Sequence, residues 1–363
     1  MRRYKDPLFA PERKRHPALA FLVILLVFLL ATLLTLNYIN NSRVDLLRQR
    51  VTVPNLPSSM ENFSILHISD LHGLYFGANQ ERFASAIRGL SYNVVCITGD
   101  ITGKSGDADA FLKLLDVLDP NVPVYFIVGD EDPDPILATP HRTDGAKNAF
   151  IQQAEAKGAV YLDAPYKITV GKSTLWLAPE WVYTLDVAAS ETGLVDRQRE
   201  LLSEPASAAR RAAMEAVEYQ LDQLARIQAA RREVADDDIH IAVTHHPLQL
   251  SAMASLQEWT ATDNDSYVRK ISLVLAGHYA AGQWRLPGVG AVRVPLSAGL
   301  GNNGWFPGDQ QVVGLSSVMG IPQYISPGLG PCAVSGLPNF RLFNTPEVTL
   351  ITFTSQIDLD TLP

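Results

Sequence analysis

Five apolar stretches of this chain end in the same way. "SILHISDLHG" closes on Asp70 and His72, "VVCITGD" on Asp100, and "VYFIVGDED" on Asp130, Glu131 and Asp132. "IHIAVTHHP" closes on His245 and His246, and "LVLAGHYAAGQ" carries His278 just past its apolar run. An isolated Asp at a strand end is commonly a turn former or helix cap. Packing gives no reason for five strand ends to carry only carboxylates and imidazoles. Such a mixed donor set suits Zn, Fe or Mn rather than Ca. Two such ions held ~3.5–4 Å apart can clamp a phosphoryl oxygen and turn a water into a nucleophile near neutral pH.

The elements that must hold these residues alternate. "FSILHISD", "NVVCITGD" and "PVYFIVGDED" read as buried strands, with helical spacing between them in "NQERFASAIRGL" and "DADAFLKLLDVL". That order predicts parallel βαβ units, whose ligands gather outside the carboxyl ends of the strands. Later strands are expected in "AVYLD", "YKITV", "STLWLA", "IHIAVTHHP", "ISLVLAGH", "PQYIS" and "EVTLITFT". The short pair around 160–177 suggests a second sheet packed on the first. Between these lies a charged helix over about 205–234, with Met214, Val217, Leu221 and Leu224 as one apolar stripe. Glycine-rich residues 288–320 read as a long loop covering the site.

The ordered set "SDLHG", "TGD", "VGDED", "THHP" and "AGHYAAGQ" resembles the calcineurin-like metallophosphoesterase superfamily, whose pattern is D-x-H, G-D, G-N-H-[DE], H-x-P and G-H-x-H. The tail "YISPGLG" to "NFRLFNTPEVTLITF" is similar to its bacterial membrane-associated branch. The resemblance implies a four-layer α/β/β/α metallophosphoesterase sandwich and one or two divalent metal ions (Mn, Fe or Zn) per chain. By position, Asp70 and His72 would hold the first metal and Asp100 would bridge. Asp130, His245 and His278 would complete the second site. His246 falls on the variable position of its motif and is expected to be structural. Gln283 matches a family glutamine expected to brace the loop.

Three departures stand out. Ala280 replaces the second histidine of G-H-x-H, a ligand of the first metal. Glu131 replaces the histidine that contacts phosphate and can protonate the leaving group. Asp130 puts a charge where the family has a neutral amide. The first metal then lacks a fourth protein ligand, so the second is expected to bind more tightly. Glu131 could serve as the catalytic proton donor if burial raised its pKa.

The rest of the chain places this domain. Ala18 to Leu36 is an uncharged apolar run whose 19 residues would cover roughly 28 Å as a helix, close to the bilayer core. A cleaved signal peptide is the alternative, but the run is longer than such signals need and no A-x-A site follows. Six basic and two acidic side chains precede it, which keeps that end in the cytoplasm. The expected organisation is a cytoplasmic basic tail at 1–17, a transmembrane anchor at 18–39, a tether at 40–62 and the metallophosphoesterase-like domain at 63–363, on the outer face of the cell membrane. The formal net charge of −8 argues against a nucleic-acid partner. Cys96 reads as a buried strand residue and Cys332 as a loop residue; a disulfide between them is not required.

The expected function is a membrane-anchored, metal-dependent phosphoesterase acting on a mono-, di- or pyrophosphate ester, with a lipid-linked substrate among the options. Trp284, Trp305 and Phe306 could then touch an acyl chain or a base, or simply pack the loop. The alternative is a catalytically impaired relative that binds a metal, a ligand or a protein partner.

Overall fold

The computed structural model describes residues 17–103, 106–140, 145–249, 271–294, 304–307, 312–332 and 340–356. Nearly all of the expected basic tail, and parts of the glycine-rich stretch at 295–303 and 308–311, lie outside these residues.

Helix α1 (Pro17–Asn41) contains the apolar run and buries only Asn37. The expected tether instead contains strand β1 (Asp45–Thr52), which pairs in parallel with β14 (Glu347–Thr354) along its full length. Arg48, Gln49 and Arg50 mask this strand in the sequence. They are what an edge strand uses to stay soluble. Val51 and Val53 are fully buried behind it.

The first sheet continues with β2 (Ser64–Ile68), β3 (Val94–Thr98), β4 (Val124–Ile127) and β5 (Ala159–Tyr161), in the order β1-β14-β2-β3-β4-β5. Strands β2 to β5 are parallel to one another, and β14 runs antiparallel to β2. The second sheet contains β6 (Tyr166–Val170), β7 (Ser173–Pro179), β8 (Ile239–Val243), β9 (Ile271–Ala276), β12 (Gly314–Val318) and β13 (Ile321–Ile325), ordered β12-β13-β9-β8-β7-β6. Its four inner strands are parallel, and an antiparallel hairpin closes each edge. A separate hairpin joins β10 (Trp284–Leu286) and β11 (Gly290–Arg293). The glycine-rich region is therefore not one structureless loop, because β11 and β12 fall within it.

Side-chain alternation along these strands makes four layers. Ile65, Val94, Cys96, Tyr125 and Ile351 of the first sheet meet Leu175, Leu177, Ile241, Leu273 and Leu275 of the second. The opposite face of the first sheet, with Leu66, Val95, Ile97 and Phe126, packs on helices α2 (Glu81–Ala86), α3 (Asp109–Asp116) and α4 (Ala149–Ala156). Burying each such side chain contributes ~1.5–3 kcal/mol. Helices α5 (Val187–Ser203) and α6 (Ala208–Glu233) pack on each other beside the β6 edge of the second sheet, where Val187, Leu224 and Ile227 join Ala164, Val182 and Tyr166 in one cluster. The architecture is the expected α/β/β/α sandwich.

The helix expected over 205–234 is α6, capped by Ser207, whose hydroxyl accepts from the Arg210 amide. Val217 and Leu224 of its stripe are buried, and Met214 and Leu221 half-buried. One buried carboxylate fixes it to the domain. Asp163 takes a two-pronged ion pair from Arg226 at 2.8 and 2.9 Å and a hydrogen bond from the Tyr219 hydroxyl. Its backbone carbonyl accepts from Gln223 at 2.8 Å.

Candidate metal centre

The predicted residues meet where parallel strands of both sheets end. Asp70, His72, Asp100 and His278 all adopt left-handed backbone, with φ of 54°, 49°, 52° and 75°. Each such residue costs on the order of 1 kcal/mol or more and persists only when its surroundings enforce it. Here the enforcement is visible. The Asp70 amide donates to Gly99 O at 3.1 Å and the His72 amide to Asp100 O at 2.8 Å, which sews the β2 and β3 ends together. The His278 amide donates to Asp70 Oδ1 at 3.0 Å across the two sheets. Two glycines permit the close approach. A Cβ on Gly129 would lie 2.3 Å from Asp100 Oδ1, and one on Gly277 would lie 1.9 Å from Ser69 Oγ.

The side chains form two groups. Asp70, His72 and Asp100 bring their donor atoms within 4.8 Å of one another, and so do Asp130, His245, His246 and His278. Asp100 links them: its Oδ2 lies 3.2 Å from His245 Nε2 and 3.9 Å from His72 Nε2. Its Oδ1 accepts from the Glu131 amide at 2.8 Å.

The donor atoms are oriented from behind. His245 Nδ1 faces Thr98 O at 2.8 Å. A carbonyl oxygen only accepts, so Nδ1 carries the hydrogen and Nε2 is turned towards Asp100. His72 Nδ1 lies 3.1 Å from Glu131 Oε2, which by the same reasoning leaves Nε2 as its inward donor. His72 Nε2 and His278 Nε2 are buried and have no hydrogen-bond partner among the described residues. Buried imidazole nitrogens without partners, beside carboxylates, are what a bound cation would satisfy. The residues therefore fit divalent metal.

The charges of these groups are set by one another. Burial alone would raise the Asp100 carboxyl, but the hydrogen bond and charge of His245, with the charge of His72, outweigh it and hold Asp100 at about 2. Burial would lower His245, but Asp100 and Asp70 carry it up to about 9. His278 moves the other way, pushed down by burial and by the charge of His245.

Asp70, His72, Asp100, Asp130, His245 and His278 are thus brought together as expected. His246, expected to be structural, is not apart from them. Its Nε2 lies 2.9 Å from the Asp130 carboxylate and its ring 4.1 Å from that of His278. The "HH" doublet facing an Asp in place of a neutral amide was the signal for it. Glu131, expected as a proton donor, has a side chain 36% exposed, with Oε2 3.1 Å from His72 Nδ1. Asp132 accepts from the Ile101, Thr102 and Gly129 amides and the Thr102 hydroxyl, and so shapes the loop. Ala280 is fully buried against Cys332, whose thiol donates to Gln283 Oε1 at 2.9 Å. Where a fourth ligand of the first group would stand there is packing instead. Neither Cys96 nor Cys332 forms a disulfide, and both are buried.

The sequence profile of the calcineurin-like phosphoesterases matches residues 63–281. The chain belongs to that family. No curated protein matches the chain. Among solved structures it is similar to a phosphopantetheinyl hydrolase from Mycobacterium tuberculosis, at 13% identity and a TM-score of 0.34, covering 74% of this chain and 91% of that one. Within that family match, the chain carries two Asp/His groups that could hold metal ions.

Proposed function

We propose that this protein is a membrane-anchored, metal-dependent phosphoesterase that hydrolyses a phosphate mono-, di- or pyrophosphate ester outside the cytoplasm. The observation that carries this is the pair of carboxylate–imidazole groups joined at Asp100. Divalent ions bound there (Mn, Fe or Zn) supply Lewis acidity towards a water and the phosphoryl oxygens. Asp70, His72 and Asp100 would hold one ion, and Asp130, His245, His246 and His278 the other. Thr98 O and Glu131 keep the His245 and His72 rings turned so that their Nε2 atoms face inward. Glu131 is in this reading a positioning residue. Helix α1 is the anchor: 25 residues, uncharged through its apolar run and, Asn37 apart, not buried by the domain. The basic residues before it favour a cytoplasmic N-terminus. A domain held beside the bilayer suits a lipid-linked ester.

The test is hydrolysis by the full-length chain in lipid nanodiscs, with Mn²⁺, across chromogenic phosphomonoester, phosphodiester and pyrophosphate substrates. Turnover lost on Asp100→Ala and on chelation supports the reading. Equal rates for native and Asp100→Ala chains across all three classes overturn it. The replacement of a ligand by the buried Ala280–Cys332 contact favours a second reading, a metal-binding relative without turnover. Tight Mn²⁺ binding with no turnover would select it.

A further inference from the structure

We infer that the tip of the β10–β11 hairpin, together with Phe343, is a second point of contact with the bilayer. The inference rests on the proposed span of α1 and adds a surface to it.

The argument starts at Asn37, the one buried residue of α1. It directly follows Leu36, where the apolar run ends. Its Nδ2 donates to Arg341 O at 2.9 Å, and its Oδ1 accepts from the Phe343 amide at 3.0 Å. Asn41, one turn on, donates to the same Arg341 carbonyl at 2.6 Å. The 341–343 segment is thus clamped to α1 at the point where a spanning helix leaves the hydrocarbon. Phe343 sits at the height of the lipid headgroups.

The hairpin is fastened to the same segment. The Arg285 amide donates to Leu342 O at 2.9 Å, and the Leu342 amide to Gln283 O at 3.0 Å. From there the chain projects Leu286, Pro287, Gly288 and Val289, all exposed. Leu286, Val289 and Phe343 show 41%, 59% and 38% of their surface. With Arg285 they line an open groove of about 390 Å³, and no acidic side chain lines it among the described residues. Singly exposed apolar residues need no explanation. Three sharing one groove, hydrogen-bonded to the exit of an apolar helix, have the composition of an interfacial contact in which apolar groups enter the acyl boundary, while Arg285, whose guanidinium donates to Ala281 O at 2.7 Å, borders the groove. The same segment reaches the metal centre, because Asn344 Nδ2 donates to Ala280 O at 2.7 Å, two residues beyond His278. A lipid contact at Phe343 would hold the site at headgroup level.

The test uses the full chain in nanodiscs of phosphatidylcholine and phosphatidylglycerol, carrying a single introduced thiol labelled with an environment-sensitive fluorophore. The native cysteines are buried, so labelling is confined to the new thiol. Val289→Cys probes the hairpin, Leu202→Cys, exposed on α5, is the aqueous reference, and Val27→Cys reports the span. The expected result at 289 is a blue shift, loss of iodide quenching and quenching by lipids spin-labelled near the headgroup, with 202 remaining open to iodide. If 27 reads lipid while 289 behaves like 202, the span stands and the hairpin contact is overturned. If 27 also reads water, the anchoring reading itself falls, and the contact with it.

Discussion

Replacing Glu131 by alanine is expected to weaken metal binding at one of the two groups and leave the other unchanged. The Glu131 carboxylate lies 3.1 Å from His72 Nδ1, and His72 belongs to the group with Asp70 and Asp100. Removing a carboxylate that orients a ligating imidazole typically costs 10–100-fold in metal affinity, roughly. The Glu131 side chain is 36% exposed, so water already screens the contact and the lower end applies: about tenfold, or ~1.4 kcal/mol. The assay is titration of the full-length chain with Mn²⁺, following free Mn²⁺ by electron paramagnetic resonance and resolving two classes of site. The weaker class should move about tenfold in the Glu131→Ala chain while the tighter class, which has four protein donors, stays in place. Glu131→Gln keeps an oxygen that can accept from Nδ1–H and should recover most of the loss. The reasoning is refuted if both classes are unchanged in Glu131→Ala while hydrolysis disappears and excess Mn²⁺ fails to restore it. That outcome would return Glu131 to the role of proton donor.

Arg226→Met leaves Asp163 buried without its counter-charge; breaking such a pair costs ~3–5 kcal/mol, and the partial exposure of Arg226 places this one near the lower value, to be read in chemical unfolding. Asp163→Asn in the same background should recover part of it. The pair also sets an acid limit. Burial would raise the Asp163 carboxyl, but the Arg226 and Tyr219 hydrogen bonds and the Arg226 charge outweigh it and hold it below 3.8. A depressed carboxyl stabilises the fold fully above its unfolded value and loses that contribution as pH falls through its folded value. The stability gap between the native chain and Asp163→Asn should therefore be constant at neutral pH and close below pH 3.8, as followed by thermal unfolding against pH. Ala280→His, which restores the family pattern, should cost ~1–3 kcal/mol through overpacking, because Ala280 is fully buried against Cys332. Adding Cys332→Ala should recover stability and tighten the weaker Mn²⁺ class, and a weaker class that stays unmoved would count against the placement of that missing ligand.

What the sequence discloses follows from where each residue sits. β2, β3, β4 and β8 are buried on both faces, so they read as continuous apolar runs, and the charged residue that ends each run stands out. The candidate Asp/His cluster was legible for that reason. β1 was not, because Arg48, Gln49 and Arg50 lie on a sheet edge, and α5 was not, because it buries only Val187 and Leu201. The contacts of His246 and Glu131 were less legible, because the partner of each, Asp130 for one and His72 for the other, lies far along the chain.

Only Ser42, Arg43 and Val44 separate α1 from β1. With the Asn37 and Asn41 contacts beyond them, the helix is a post rather than a leash. Little slack remains for the domain to swing, and the orientation of its site relative to the helix is set by the fold. The border of the folded unit also lies inside the helix, not at its end. A soluble fragment cut at residue 44 would strip the Phe343 amide and the Arg341 carbonyl of their partners, at ~1–3 kcal/mol for each group left unsatisfied. It would loosen the segment whose Asn344 holds the turn after His278. A loss of function in such a fragment would therefore report the cut and not the intact chain.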